Sequence, residues 1–224
     1  MTPVGVVWDP FTVEKAAPMP LVDLCLTVAG GEIPRDVRSF LREANRRIER
    51  FQADFRIPGF VPSDFALAYG ALQAVAREGV ASGNHFCEWG SGFGVVSCLA
   101  ARLDFQAVGI EVEGNLVDAA QQLADDFDLP VDFHHGSFIP VGGETSFALT
   151  DEFAWLATNE GTTGDERDHD PTEFDVIFAY PWPDEERFIG ALFDRYADTG
   201  AVLATYHGGE AIRLRRKKRT RKLG

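Results

Sequence analysis

The chain has 224 residues, 45% of them hydrophobic, a length that suits one α/β domain with an appendage and needs no disulfide or metal to hold its core. With 21 basic against 35 acidic residues the net charge is −14, which disfavours a nucleic-acid partner over most of the surface. Cysteines at 25, 87 and 98 form no Cys-x-x-Cys pair, which excludes a zinc knot and a disulfide framework and fits a reducing, cytoplasmic setting.

Residues 1–33 read as irregular. Their prolines and lack of a basic n-region argue against a signal peptide. No apolar run approaches the roughly 20 residues of a membrane span, so no membrane partner is expected. Pro34 is suited to open a helix, because its missing N–H costs nothing there. Val37, Phe40, Leu41, Ala44, Ile48 and Phe51 then fall on one helical face, with five arginines largely off it. Residues 1–59 are thus expected to be an N-terminal helical extension that caps the domain. Ser63 reads as the N-cap of a helix over 64–78.

From there strands and helices alternate. Strands are predicted at 85–88, 107–111, 131–134, 174–179 and 201–206, and helices at 94–103, 115–127 and 184–196. A long connection, 139–173, holds a helix candidate at 150–157 and an acidic, glycine-bearing stretch at 159–170. This alternation predicts a doubly wound, mostly parallel Rossmann-like α/β sheet, with the domain over 60–212. Residues 213–222 hold eight of the 21 basic residues, so 213–224 reads as a basic C-terminal tail, either solvated, paired with the protein's own acidic face, or in contact with a polyanion.

The run Phe86-Cys87-Glu88-Trp89-Gly90-Ser91-Gly92-Phe93-Gly94 is a strand, a sharp turn and the start of a helix. Glycines let the backbone turn tightly and approach a ligand closely. The helix start is expected to offer free N–H groups. A dinucleotide site wants Gly-x-Gly-x-x-Gly, but position 95 is Val95 and the third glycine is Gly94. Glu88 would repel a pyrophosphate and suits a cofactor with a cationic amino group or sulfonium. Glu111 ends the next strand, 21 residues after Gly90, where a carboxylate would accept both ribose hydroxyls.

Residues 86–111 resemble the first motif and the following acidic position of the class I S-adenosylmethionine-dependent methyltransferases. The resemblance runs strand by strand over about residues 60–207. It implies a seven-stranded methyltransferase sheet, or one trimmed at its C-terminus, and S-adenosyl-L-methionine as cofactor. Position by position, it implies that Glu88 helps hold the methionyl amino end and that Gly90, Ser91, Gly92 and Gly94 pass under the methionine and ribose. Glu111 would take the ribose hydroxyls and Val112 would pack on the adenine. Ser137 would reach the adenine amino group, with Phe138 beside it.

Tyr180-Pro181-Trp182-Pro183 ends the fourth predicted strand. It is similar in place to the Asp/Asn-Pro-Pro-aromatic motif of methyltransferases acting on amino nitrogen, with Ala179-Tyr180 replacing the acid or amide and its proline. Tyr180 and Trp182 are therefore the expected acceptor-side, catalytic residues, their faces suited to a cationic amine or sulfonium. Methyl transfer to nitrogen (a protein lysine or other amine) or to another nucleophile is the expected chemistry. A cofactor-binding protein of the same fold without catalysis is the main alternative. A nicotinamide oxidoreductase is third, disfavoured by Val95 and Glu88. No metal-ligand cluster accompanies the strand ends.

Overall fold

The computed structural model describes residues 21–26, 33–57, 59–140, 170–182, 185–208 and 211–218. The expected helix at 150–157, nearly all of the acidic stretch 159–170 and the last six residues lie outside them. The elements are β1 (Leu21–Asp23), α1 (Arg35–Asp54), α2 (Phe65–Glu78), β2 (His85–Trp89), α3 (Val95–Ala101), β3 (Gln106–Glu111) and α4 (Gly114–Asp126), followed by β4 (Val131–His135), β5 (Val176–Ala179), α5 (Glu186–Tyr196), β6 (Val202–Tyr206) and β7 (Ile212–Lys217).

The strands form one sheet in the order β1-β7-β6-β5-β2-β3-β4. β2 to β6 pair in parallel, and β7 is antiparallel to both of its neighbours. The chain winds outward from β2 through β3 to β4, then returns to the other side of β2 as β5 and β6. The direction of winding reverses between β2 and β5, and ligands of open α/β sheets bind at the carboxyl ends of such a pair. This is the doubly wound, mostly parallel sheet that the alternation predicts.

Buried strands alternate between two cores, because successive side chains point to opposite faces. Phe86, Val176, Phe178, Val202 and Ala204 pack with α1, α2 and α3. Cys87, Trp89, Ile177, Ala179 and Leu203 pack with α5 through Ile189, Leu192 and Phe193. Helix α1 buries Val37, Phe40, Ala44 and Ile48, as its spacing predicts. Its arginine face is partly consumed by ion pairs: Arg47 bridges Glu43 at 2.9 Å and Asp126 of α4 at 2.7 Å. Helix α2 is capped by Asp64, whose Oδ1 accepts from the N–H groups of Ala66 and Leu67, so the cap sits one residue beyond the expected Ser63.

The basic C-terminal tail is the clearest correction. Residues 212–217 are not a tail but the strand β7, paired with β6 and with β1 from the other end of the chain. Leu214 is buried in the core with α2, while Arg213, Arg215 and Lys217 alternate onto the α5 face. Arg213 pairs with Asp23 at 2.7 Å and with Glu186 at 2.8 Å. Lys217 donates its Nζ to the carbonyl of Ala197, the C-cap of α5, where a cation also complements the helix dipole. The seventh strand of the sheet is therefore supplied by the N-terminal segment, β1, rather than by a C-terminal one.

Candidate functional site

A cleft of about 690 Å³ opens at the carboxyl ends of β2, β3 and β5. That volume lies within the roughly 300–1,000 Å³ of small-molecule sites. The β2–α3 turn forms its floor. Gly90, Gly92 and Gly94 take φ values of +71°, +53° and +69°, which L side chains rarely adopt. The three glycines serve different ends. Above Gly90 a Cβ would meet nothing within 4 Å, so this glycine leaves space for a ligand. At Gly92 a Cβ would come within 2.9 Å of Phe60, whose ring lies over the turn. Gly94 faces away from the cleft, and a Cβ there would overlap Phe133 of β4 and Ala120 of α4. It is a packing glycine, which corrects its expected place beneath the methionine and ribose.

The amides of the turn are already engaged. Gly90 and Ser91 both donate to the Ile110 carbonyl at 2.9 Å, and Gly94 donates to the Ser91 carbonyl at 2.8 Å. Gly92 donates to Glu111 Oε2 at 2.7 Å, and Glu113 donates to Glu111 Oε1 at 3.0 Å. Glu88 Oε2 accepts from both the amide and the hydroxyl of Ser97, at 2.8 and 2.7 Å, and so caps α3 from within the sheet. The free amide cradle expected at this helix start is therefore absent at those positions.

The polar groups left for a ligand are side chains. Glu111 is 7% exposed, its two oxygens accept from the Gly92 and Glu113 amides, and the Val112 amide also stabilises the carboxylate. Ser91 is 4% exposed, and its Oγ is buried without a hydrogen-bond partner among the described residues. A buried hydroxyl left unpaired costs free energy unless something meets it. Burial raises the pKa of Glu88 to about 8, with the bonds from Ser97 opposing the shift and the charge of Glu111 adding to it. Burial likewise raises Glu111, against the backbone donors that stabilise its charge.

Most of the expected residues meet in this cleft: Glu88, Gly90, Ser91, Gly92, Glu111 and Val112, with Phe138, Tyr180 and Trp182 on its walls. Phe138 stacks on Trp89 at 5.2 Å, with the ring planes 8° apart. Tyr180 meets Tyr206 edge to face at 4.7 Å. Ser137 does not line the cleft, and its hydroxyl accepts from the Ile139 amide at 3.1 Å, which closes its own turn. The loop 57–63 adds Phe60 and Val61 to the mouth. The end of α1 supports that loop, because Phe51 packs edge-on against both Phe60 and Phe93. One acid escaped the sequence reading. Glu185, 4% exposed, lines the cleft at the start of α5, and its Oε2 accepts from the Trp182 amide at 2.9 Å. The spacing Trp182-x-x-Glu185, with the acid at the N-cap of α5, was its available signal.

No protein-family model matches the chain, and no curated protein matches it. Solved structures resemble it in fold. One is an RNA methyltransferase from Salinibacter ruber in complex with S-adenosyl-L-homocysteine, 16% identical over 73% of this chain and 98% of that one, with a TM-score of 0.49. Another is a methyltransferase from Geobacter sulfurreducens, 14% identical over 83% of this chain and 98% of that one, with a TM-score of 0.49. A third is the O-methyltransferase TomG from Streptomyces achromogenes in complex with SAM, 20% identical over 78% of this chain and 66% of that one, with a TM-score of 0.43. At these identities the likeness is one of architecture.

Proposed function

We propose that the protein is an S-adenosyl-L-methionine-dependent methyltransferase acting on a nitrogen or oxygen nucleophile. The observation that carries this reading is the pair of buried carboxyl groups, Glu88 and Glu111, lining one cleft beside the open space over Gly90. The residues fit this cofactor. Glu111 offers a cleft-lining carboxylate to the ribose hydroxyls, Gly90 leaves open space, and Val112 and Phe138 offer apolar surface for a base. Among the described residues no lysine or arginine lines the cleft, so a pyrophosphate would find no counter-charge there.

The cofactor supplies an activated methyl group on a sulfonium. The chain's residues hold the two reactants in line and exclude water, which is most of what such a transfer requires. Glu88 sits at the strand end suited to the methionyl amino group; a bound ammonium would draw its carboxyl back to the charged form. Tyr180 and Trp182 form the wall where an acceptor would lie, and the faces of these rings also suit a cation.

Calorimetric titration tests the reading. S-adenosyl-L-homocysteine is expected to bind in the micromolar range and far more tightly than NAD, and the reverse order would return the chain to the oxidoreductase class. Labelled cofactor incubated with cell lysate should mark an acceptor. A Tyr180→Ala, Trp182→Ala double variant should lose that labelling while still binding S-adenosyl-L-homocysteine. Binding without any labelling by the unaltered protein would favour a non-catalytic role.

A further inference from the structure

The β5 side of the cleft carries a carboxyl group of its own. Glu185 Oε2 accepts from the Trp182 amide at 2.9 Å, while the Glu185 amide donates to the Trp182 carbonyl at 3.0 Å. This reciprocal pair holds the side chain at the start of α5, 4% exposed and facing the cleft. Its Oε1 accepts nothing among the described residues. Burial raises its pKa above that of an ordinary glutamate.

The walls around this group are apolar. Phe60, Val61, Tyr180, Pro181 and Trp182 form them. Of the three large hydrophobic side chains that stand exposed among the described residues, two are at this mouth: Val61 at 49% and Trp182 at 42%. Glu88, Glu111, Glu113 and Glu185 all line the cleft, and no lysine, arginine or histidine does so among the described residues. An acceptor's phosphate or carboxylate brought here would lose its water and gain no counter-ion, whereas the cofactor's carboxylate is balanced by its own ammonium group. A nucleic-acid strand needs cations for its backbone that this cleft does not present.

We propose that Glu185 takes the proton of the methyl acceptor, and that the acceptor is a small aromatic molecule bearing an O–H or N–H and no negative charge. This rests on the methyltransferase reading of the same cleft. The bond formed joins the acceptor's oxygen or nitrogen to the methyl carbon. The bond broken is that carbon's bond to sulfur, which keeps the electron pair and becomes a neutral thioether. The acceptor's proton passes to Glu185 and then to water.

Two matched pairs of probes test the proposal by binding and by turnover, with S-adenosyl-L-homocysteine or labelled cofactor present. Tyramine and 4-hydroxyphenylacetate share a phenol ring and differ in the charge they carry, as do benzylamine and benzoate. Tryptophan fluorescence should report at least tenfold tighter binding of the amines than of the acids. Transfer to tyramine identifies the phenol as a nucleophile, and transfer to benzylamine the amine. In Glu185→Gln an oxygen remains to accept from the Trp182 amide, so thermal stability and S-adenosyl-L-homocysteine affinity should hold. Transfer should fall roughly 10²- to 10⁴-fold, the usual reach of a general base. The proposal is overturned if the acids bind as well as the amines, if neither amine binds, if transfer RNA is methylated in preference to the rings, or if Glu185→Gln is as active as the unaltered protein. Absence of S-adenosyl-L-homocysteine binding would instead remove the methyltransferase reading beneath it.

Discussion

On the β2–β3 side of the cleft the backbone holds the polar groups in place. Glu111 is held by the amides of Gly92 and Glu113, and Glu88 by the amide of Ser97. On the β5 side the surface is made of ring faces, with Glu185 held by a single amide. The first half is a rigid polar frame set by a turn whose geometry only glycine tolerates. The second is an apolar wall whose shape depends on side chains from the loop 57–63 and the β5–α5 connection. A frame of fixed carboxyl groups suits one invariant ligand, and a wall of rings suits a ligand selected by shape.

The largest expected effect lies in the frame. Glu111→Ala removes the acceptor for two ribose hydroxyls. At about 1.5–3 kcal/mol for each of the two charged hydrogen bonds, S-adenosyl-L-homocysteine affinity should fall roughly 10²- to 10⁴-fold by calorimetry. Unchanged affinity would show that Glu111 serves the turn alone and would end the ribose assignment.

The next test separates two glycines of the same turn. Gly94→Ala combines left-handed backbone strain with overlap against Phe133 and Ala120, and should cost roughly 2–5 kcal/mol of stability in urea unfolding. Gly90→Ala suffers only the strain, about 1–2 kcal/mol, but places a methyl group in the open cleft and should weaken ligand binding. Equal stability losses in both variants would contradict the division of roles.

Much of the frame was legible in the sequence. The central strands fall within one or two residues of their expected places, because buried β-strands bounded by glycine and proline announce themselves locally. Glu88, Glu111 and the glycine turn follow from spacing within 30 residues. What escaped depends on distant partners. The role of Gly94 is decided by Phe133 and Ala120, which no local pattern connects to it. β7 was hidden by its charge. The alternation of Ile212 and Leu214 with Arg213 and Arg215 was present, but its pairing strand, Leu21–Asp23, lies at the other end of the chain. Asp64 displaced Ser63 as a cap because adjacent residues of the same capping type cannot be ranked by type alone. Glu185 was lost in the acidic run 184–186, where residue type alone does not single it out from its neighbours.

A pH experiment sharpens the account of the frame. Glu88 keeps its proton to about pH 8 when folded, against an ordinary value of 4.5. The folded state therefore binds more protons across that window, and stability falls as pH rises through it. Glu88→Gln keeps an acceptor for Ser97 and removes the titration. Its stability relative to the unaltered protein should rise by roughly 2–4 kcal/mol between pH 5 and pH 8.5 in urea unfolding. A difference that does not change with pH would show that Glu88 is charged in the free protein.

The smallest effect on stability is expected at Trp182, and it bears most directly on the contrast between the halves. The ring is 42% exposed, and the indole edge would lie 4.0 Å from a Cβ at Gly59 across the mouth, so little core packing depends on it. Trp182→Ala should change stability by no more than roughly 0.5 kcal/mol, the ordinary range for a surface substitution. S-adenosyl-L-homocysteine affinity should also hold, because the frame of Glu111 and Ser91 does not touch this side chain. Binding of an aromatic amine should weaken about tenfold, in line with roughly 1 kcal/mol or more for a lost ring contact. If cofactor affinity falls together with amine binding, the cleft is one continuous surface, and the separation into a fixed frame and a selective wall does not hold.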